Sequence, residues 1–181
     1  MTVNCPTALL FNDKEKEMIK SSVEKALNDQ LNAEMYSSYL YMAMAAYFED
    51  LNLNGFAHWM TVQAGEEMEH ARKFYSFIFE RDGRVKLGAI EKPPFEWKSP
   101  FDAFETAYKH EIKVSGLIHK LVDLARKEND HATENFLGWF VAEQVEEEAS
   151  ALEVVNHLKM IKDSPNGLFM LNAQLGRRES D

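Results

Sequence analysis

Along four long stretches of the chain, apolar residues return every three or four positions, the spacing that gathers them on one face of an α-helix. In the first stretch Met18, Val23, Leu27, Leu31, Ser38, Ala45 and Phe48 share a stripe. Asp13 is placed to cap its start, and Leu51-Asn52-Leu53-Asn54-Gly55 supplies a turn just after Asp50. The second helix is expected from about Phe56 to Arg81, with Phe56, Trp59, Met60, Gln63, Phe74, Phe77 and Ile78 inward and Asp82-Gly83 as its stop. Ser99 caps the third, with Pro100 at its first position. Its stripe runs through Phe101, Phe104, Tyr108, Ile112, Ser115, Ile118, Val122 and Ala125. After the polar turn Glu128-Asn129-Asp130, a fourth helix spans about His131 to Lys162, with Phe136, Phe140, Ala151, Val154 and Leu158 inward. Ser164-Pro165-Asn166-Gly167 is read as its end. A fifth helix, about Leu168 to Leu175, presents Leu168, Leu171 and Leu175 on one face and is too short to stand alone, so it is expected to dock.

Residues 83–98 are the longest segment with no helical signature, and they carry Gly88, Pro93, Pro94, Phe95 and Trp97, the last two read as aromatic anchors. A connection of that length can return along the whole bundle and leave the second and third helices parallel. The expected fold class is therefore all-α: a four-helix bundle over residues 13–181 with one long crossover between the second and third helices, a short C-terminal fifth helix, and an extension over residues 1–12.

The stripes are interrupted at four matched places. Glu34 and Tyr41 lie on the first, Glu67 and His70 on the second, Glu111 on the third, Gln144 and Glu147 on the fourth. A carboxylate in an apolar stripe is expensive unless it is paired or holds a metal. The interruptions also repeat: a shift of 77 positions (111 − 34, 144 − 67, 147 − 70) carries Glu onto Glu, Glu onto Gln and His onto Glu. Residues three apart sit one turn apart on the same helix face. Glu67 and His70 can thus reach one metal, Gln144 and Glu147 a second, with Glu34 and Glu111 capping or bridging the pair. Oxygen-rich ligation with one imidazole suits iron and leaves positions open for oxygen, whereas structural zinc would want a closed Cys/His set. Any one of these residues alone is ordinary on a helix surface; four glutamates, a histidine and a glutamine on inward stripes in one register are not.

Charge and composition remove other classes. The formal net charge of −10 argues against a basic surface for phosphates, so no nucleic-acid partner is expected. The longest apolar runs, such as Met42 to Phe48, fall far short of a membrane span, and Met1 to Phe11 does not read as a secretory signal. Cys5 is the single cysteine, which fits a reducing cytoplasm.

Other residues carry two readings each. Glu66, Glu143 and Glu146 beside the ligands either hold a third cation or form a solvated acidic face. Tyr41 and Trp139 either donate single electrons or fill the core. Met68 is a packing residue, and His110, His119 and His157 are surface or structural histidines without partners at ligand spacing.

Asn32-Ala33-Glu34-Met35-Tyr36-Ser37, Glu66-Glu67-Met68-Glu69-His70, Tyr108-Lys109-His110-Glu111, Asn135-Phe136-Leu137-Gly138-Trp139 and Ala142-Glu143-Gln144-Val145-Glu146-Glu147-Glu148 together resemble the non-haem ferritins of bacterial and archaeal type, over nearly all of residues 13–178. The resemblance implies a ferritin-like bundle that assembles as a homo-oligomeric shell of twenty-four subunits, oxidises Fe(II) with O2 or H2O2, and stores the ferric mineral in the cavity. It makes Glu34, Glu67 and His70 ligands of the first iron, with Glu67 bridging to a second held by Glu111, Glu147 and the nearby Gln144. Glu66, Glu143, Glu146 and Glu147 match a third iron site, and Tyr41 and Trp139 match aromatics close to the centre. Met68 matches a haem-ligand position in bacterioferritins. No haem is expected, because bacterioferritins and rubrerythrins carry a second Glu-x-x-His where this chain has Gln144-x-x-Glu147, and rubredoxin-type cysteines are missing. A neutral amide is a poor iron ligand, so the second position should hold ferric product loosely, as a store requires. The rival reading is a di-iron oxygenase or peroxide reductase that keeps its metals.

Overall fold

The computed structural model describes residues 19–162 and 164–179, so Asp13, Met18 and the extension over residues 1–12 lie outside the described residues. Among the described residues there are five helices and no strand: α1 (Ser21–Asp50), α2 (Asn54–Glu80), α3 (Pro100–Lys127), α4 (His131–Ile161) and α5 (Pro165–Leu175). α1 packs chiefly on α2 and α3 on α4, with α1 also against α3 and α5 against α2 and α4.

Three helices stop in the same way. Asn52, Asp82 and Asn129 adopt φ of 56°, 55° and 55°, and the amide of the next residue bonds back to Phe48, Ile78 and Ala125 (2.8–2.9 Å). Asn and Asp tolerate this left-handed conformation better than other residues with a Cβ, so each can end a helix without glycine. Ser99 and Asp130 cap α3 and α4 by accepting from the amides of Asp102 (3.2 Å) and Thr133 (3.0 Å).

The crossover lies along α1. Glu24, Asn28 and Asn32, one turn apart on α1, meet Arg84, Lys86 and Gly88 in the same order. At the far end Trp97 packs edge-on against Tyr47, ring centroids 5.2 Å apart. The segment therefore runs parallel to α1 for its full length and starts α3 where α2 starts, which makes α2 and α3 parallel. Phe95 is not an anchor: it is 64% exposed, and Trp97 alone takes that role.

Two further expectations need correction. Ser164-Pro165 opens α5 instead of closing α4, since the Ser164 hydroxyl accepts from the Gly167 amide and Pro165 sits in the first turn, the same signature as Ser99-Pro100. Ile112 is exposed, one position out of phase with Glu111, and Val114 is buried in its place.

α5 docks through Leu171 and Leu175 and through a polar clamp. α2 lacks a capping side chain of its own, and Asn172 supplies one by accepting from the amides of Gly55 (2.8 Å) and Phe56 (3.2 Å). A Cβ on Gly55 would lie 1.7 Å from the Asn172 carbonyl oxygen, so only glycine lets the two helices meet this closely.

The apolar core is in two parts. One surrounds Phe48, Phe56, Trp59, Phe104 and Leu158 near α5. The other surrounds Leu27, Phe74, Ile118, Leu137 and Phe140 at the opposite end. Burying such side chains stabilises the fold by about 1.5–3 kcal/mol each. The candidate ligands of all four long helices fall in the gap between the two parts.

Candidate metal centre

Burial makes this gap unusual. Glu34, Glu67 and Glu111 are each 1% exposed, and His70, Gln144 and Glu147 are also buried. Ligand atoms of Glu34, Glu67 and His70 lie within 4.8 Å of one another, and so do those of Glu67, Glu111 and Glu147. The two trios share Glu67. A third trio, His70, Glu143 and Glu147, opens toward the surface.

Burial and the crowding of four carboxyls set the electrostatics of the layer. Burial, with the nearby Glu111 charge, pushes Glu34 up to about 7. Burial and Glu111 push Glu147 to about 8, and burial with Glu111, Glu34 and Glu147 raises Glu67 well above the carboxylate range. Glu111 is also raised, by burial, against a hydrogen bond from Tyr41. Desolvation lowers His70 to about 4, so its imidazole is neutral at neutral pH and keeps a lone pair for a metal. Oε2 of Glu34 and Oε2 of Glu67 are sealed from solvent and accept no hydrogen bond. Orphaned buried oxygens cost free energy that a bound divalent ion would recover.

Around these ligands stand their supports. Gln30 donates to Glu34 (2.8 Å), Tyr41 to Glu111, and Gln63 to Glu147. The amide nitrogen of Gln144 lies 3.3 Å from both Glu111 Oε2 and Ser115 Oγ, so Gln144 meets the layer as a donor to a ligand. Tyr41 is fully buried beside the centre. Trp139 is 41% exposed, which rules out a core-filling role; its ring stands edge-on to His70 and lies 3.9 Å below the Lys73 ammonium. Trp139 and Lys73 line an open groove of about 780 Å³ that also contains Glu66, Glu69, His70 and Glu143.

Of the acidic residues read as a third site, Glu143 and Glu147 converge with His70, Glu66 is bonded by Arg178, and Glu146 is exposed on α4. Met68 packs against the core part around Phe74. His110 is structural, bonded to Ser37 (2.8 Å) between Tyr36 and Tyr41. Gln30 and Arg178 were missed from the sequence, and Gln63 was placed inward without a role. The available signal was a glutamine four residues before a ligand glutamate, present in both α1 and α2; nothing marked Arg178.

Comparison with known proteins agrees with this geometry. The ferritin-like domain family matches residues 24–161. A bacterial non-heme ferritin of Bacteroides fragilis is 45% identical over 89% of this chain and 100% of that protein. One from Staphylococcus aureus is 37% identical over 91% and 99%. An engineered closed form of the Archaeoglobus fulgidus ferritin superposes with a TM-score of 0.89 at 52% identity, covering 90% of this chain and 99% of that one. A match over three quarters of the chain, together with relatives this close, means that the chain belongs to the ferritin family, among its non-haem members.

Proposed function

We propose that the polar layer is the ferroxidase centre of this ferritin, with Glu34, Glu67 and His70 holding one iron, Glu111 and Glu147 a second beside Gln144, and Glu67 bridging them. The observation that carries this reading is the sharing of Glu67 between two buried trios. As a non-haem ferritin the protein oxidises Fe(II) and stores the product. Two adjacent irons can deliver two electrons to one oxidant together, the orienting role of a two-metal site. Four ferrous ions supply the four electrons that reduce one O2 to water, and hydrolysis to ferric oxyhydroxide releases two protons per iron. Iron is the substrate here; the protein's part is to place the carboxylates, keep His70 neutral and exclude bulk water from the layer.

A third iron at Glu143 and Glu147, at the mouth lined by Glu66, lies on the way from the layer to the open groove. O2 or H2O2 is the oxidant in this reading, residues 13–181 form the shell-building unit, and twenty-four copies enclose the mineral in the cytoplasm. Support comes from the full-length match to bacterial ferritins, and among the described residues no helix is long and apolar enough to cross a membrane. The test is to size the native protein, add ferrous iron in air and count iron retained per chain. A large shell holding many more than two irons per chain is expected. A dimer or monomer that keeps two would overturn storage in favour of a di-iron redox enzyme.

A further inference from the structure

Arg178 follows α5, yet its side chain reaches the edge of the metal layer. Its guanidinium stacks on the Trp59 indole (4.4 Å to the ring centroid) and donates to Glu66 and, at 2.8 Å, to Oε1 of Gln63. Its own carbonyl oxygen lies 2.8 Å from Nε2 of His58. Gln63 is fully buried, and its Nε2 donates to Glu147.

The direction of this chain follows from donor chemistry. A guanidinium has donors only, so Gln63 must turn its oxygen toward Arg178. Its NH2 group then has to face Glu147. Without Arg178 the two ends of the amide are nearly isosteric, and a flipped Gln63 would set an oxygen against a carboxylate oxygen of Glu147. The planar fork also grips Glu66 and Gln63 at once, a geometry that a point charge on a flexible stem cannot reproduce. Glu147 belongs to the trio with Glu67 and Glu111 and has no part in the trio of Glu34, Glu67 and His70.

We infer that Arg178 is a positioning residue for the second iron site: by fixing the Gln63 amide it orients Glu147, and it leaves the site of Glu34, Glu67 and His70 untouched. This inference rests on the reading of the layer as a two-metal centre. Partners that orient a metal ligand typically change affinity by about 10–100-fold when lost.

The experiment is an anaerobic Co(II) titration of the intact protein, followed by visible absorption and by bound metal per chain. Arg178→Met is expected to weaken the second Co(II) by about tenfold and alter its absorption band, leaving the first within about twofold of wild type. Gln63→Met, near-isosteric and breaking the same link at its other member, should give the same pattern, and the double variant should be no worse than Gln63→Met alone. The inference is overturned if both affinities and both bands survive Arg178→Met. It is equally overturned if both sites weaken together with a fall in Tm, or if the two substitutions add. A wild-type protein that fails to take two Co(II), or a Glu67→Ala variant that still takes both, would instead overturn the two-metal reading itself.

Discussion

The two halves of the bundle, α1–α2 and α3–α4, carry the same ligand positions but divide the labour unequally. The 77-residue shift sets Glu34 against Glu111 and Glu67 against Gln144, but it sets the supports Gln30, Tyr41 and Gln63 against Ala107, Ile118 and Phe140 (30, 41 and 63 plus 77). α1 and α2 thus provide the hydrogen-bonding supports for Glu34, Glu111 and Glu147 alike. α3 and α4 answer with apolar walls at the equivalent places, among them Phe140 beside His70. A repeated backbone therefore does not make two equal sites. The site of Glu34, Glu67 and His70 is walled by rings and has orphaned oxygens, while that of Glu111 and Glu147 is held largely from the other half of the chain, with Gln144 donating from its own.

The sharpest way to break this picture is at the shared ligand. Glu67 belongs to both buried trios and Glu34 to one. Glu67→Ala should slow Fe(II) oxidation by more than about a hundredfold, beyond what loss of a ligand's supporting partner does, and Glu34→Ala should do distinctly less. Stopped-flow absorbance of the ferric product reads both. Equal losses would mean that the halves are not bridged through Glu67.

Removing the metal probes both halves together. Glu34 is held at about 7 and Glu147 at about 8, chiefly by burial, against an ordinary value of 4.5. A carboxyl raised on folding contributes stability that is fully present below the unfolded value and is lost as pH climbs through the folded one. Over pH 5 to 8.5 each such group costs the iron-free protein roughly 3 kcal/mol. His70 and His110, both lowered by burial to about 4, return roughly 2 kcal/mol each as the unfolded imidazoles lose their protons, so the carboxyls together prevail. Thermal unfolding of iron-free protein should therefore give a higher Tm at pH 5 than at pH 8.5. This window lies above the titration of Asp130, which folding lowers despite its burial because Arg81 and Thr133 bond it. Metal binding should release more protons at pH 6 than at pH 9, as calorimetry in buffers of different ionisation heat would measure. A Tm that rises with pH would mean that the layer is ionised without metal.

The unequal second position is tested by Gln144→Glu. A carboxylate at position 144 adds ligand oxygens where the structure has an amide donating to Glu111, so ferric product should leave the centre about tenfold more slowly, the lower end of what one metal-orienting partner changes. Iron retained at the centre after a two-iron pulse reports this. Equal turnover and equal release in both proteins would refute the idea that the amide loosens the site.

The convergence of the candidate ligands could be read from the sequence because these residues violate the stripes they sit on, and each violation recurs 77 positions later. The crossover and the parallel α2 and α3 followed from a long segment without periodicity. What escaped has no period. Arg178 lies after the last helix and acts through Gln63, and Asn172 caps a helix that begins more than a hundred residues earlier in the chain. Ser164-Pro165 was ambiguous because Pro and Gly end helices as readily as Ser-Pro begins them. Ile112 shows that one apolar residue beside a stripe carries no information about its own facing.

The smallest expected effect separates the two readings of Tyr41. Its hydroxyl is raised well above 10 by burial and by the Glu111, Glu67 and Glu147 charges, so it stays a donor to Glu111. Its counterpart in the other half, Ile118, cannot donate at all. Tyr41→Phe removes one buried hydrogen bond, worth about 1 kcal/mol, and leaves Glu111 to rise further. If Tyr41 acts only by orienting Glu111, oxidation slows a few-fold, in line with that energy, and the ratio of iron oxidised to O2 consumed is unchanged. If it supplies an electron, the same substitution raises the ratio, because iron must then provide the electron that the ring gave. Oxygen-electrode stoichiometry against ferric absorbance decides between them, and the geometry favours the first outcome: Tyr41 bonds Oε1 of Glu111 while Gln144 lies against Oε2, so the hydroxyl completes the support of that carboxylate.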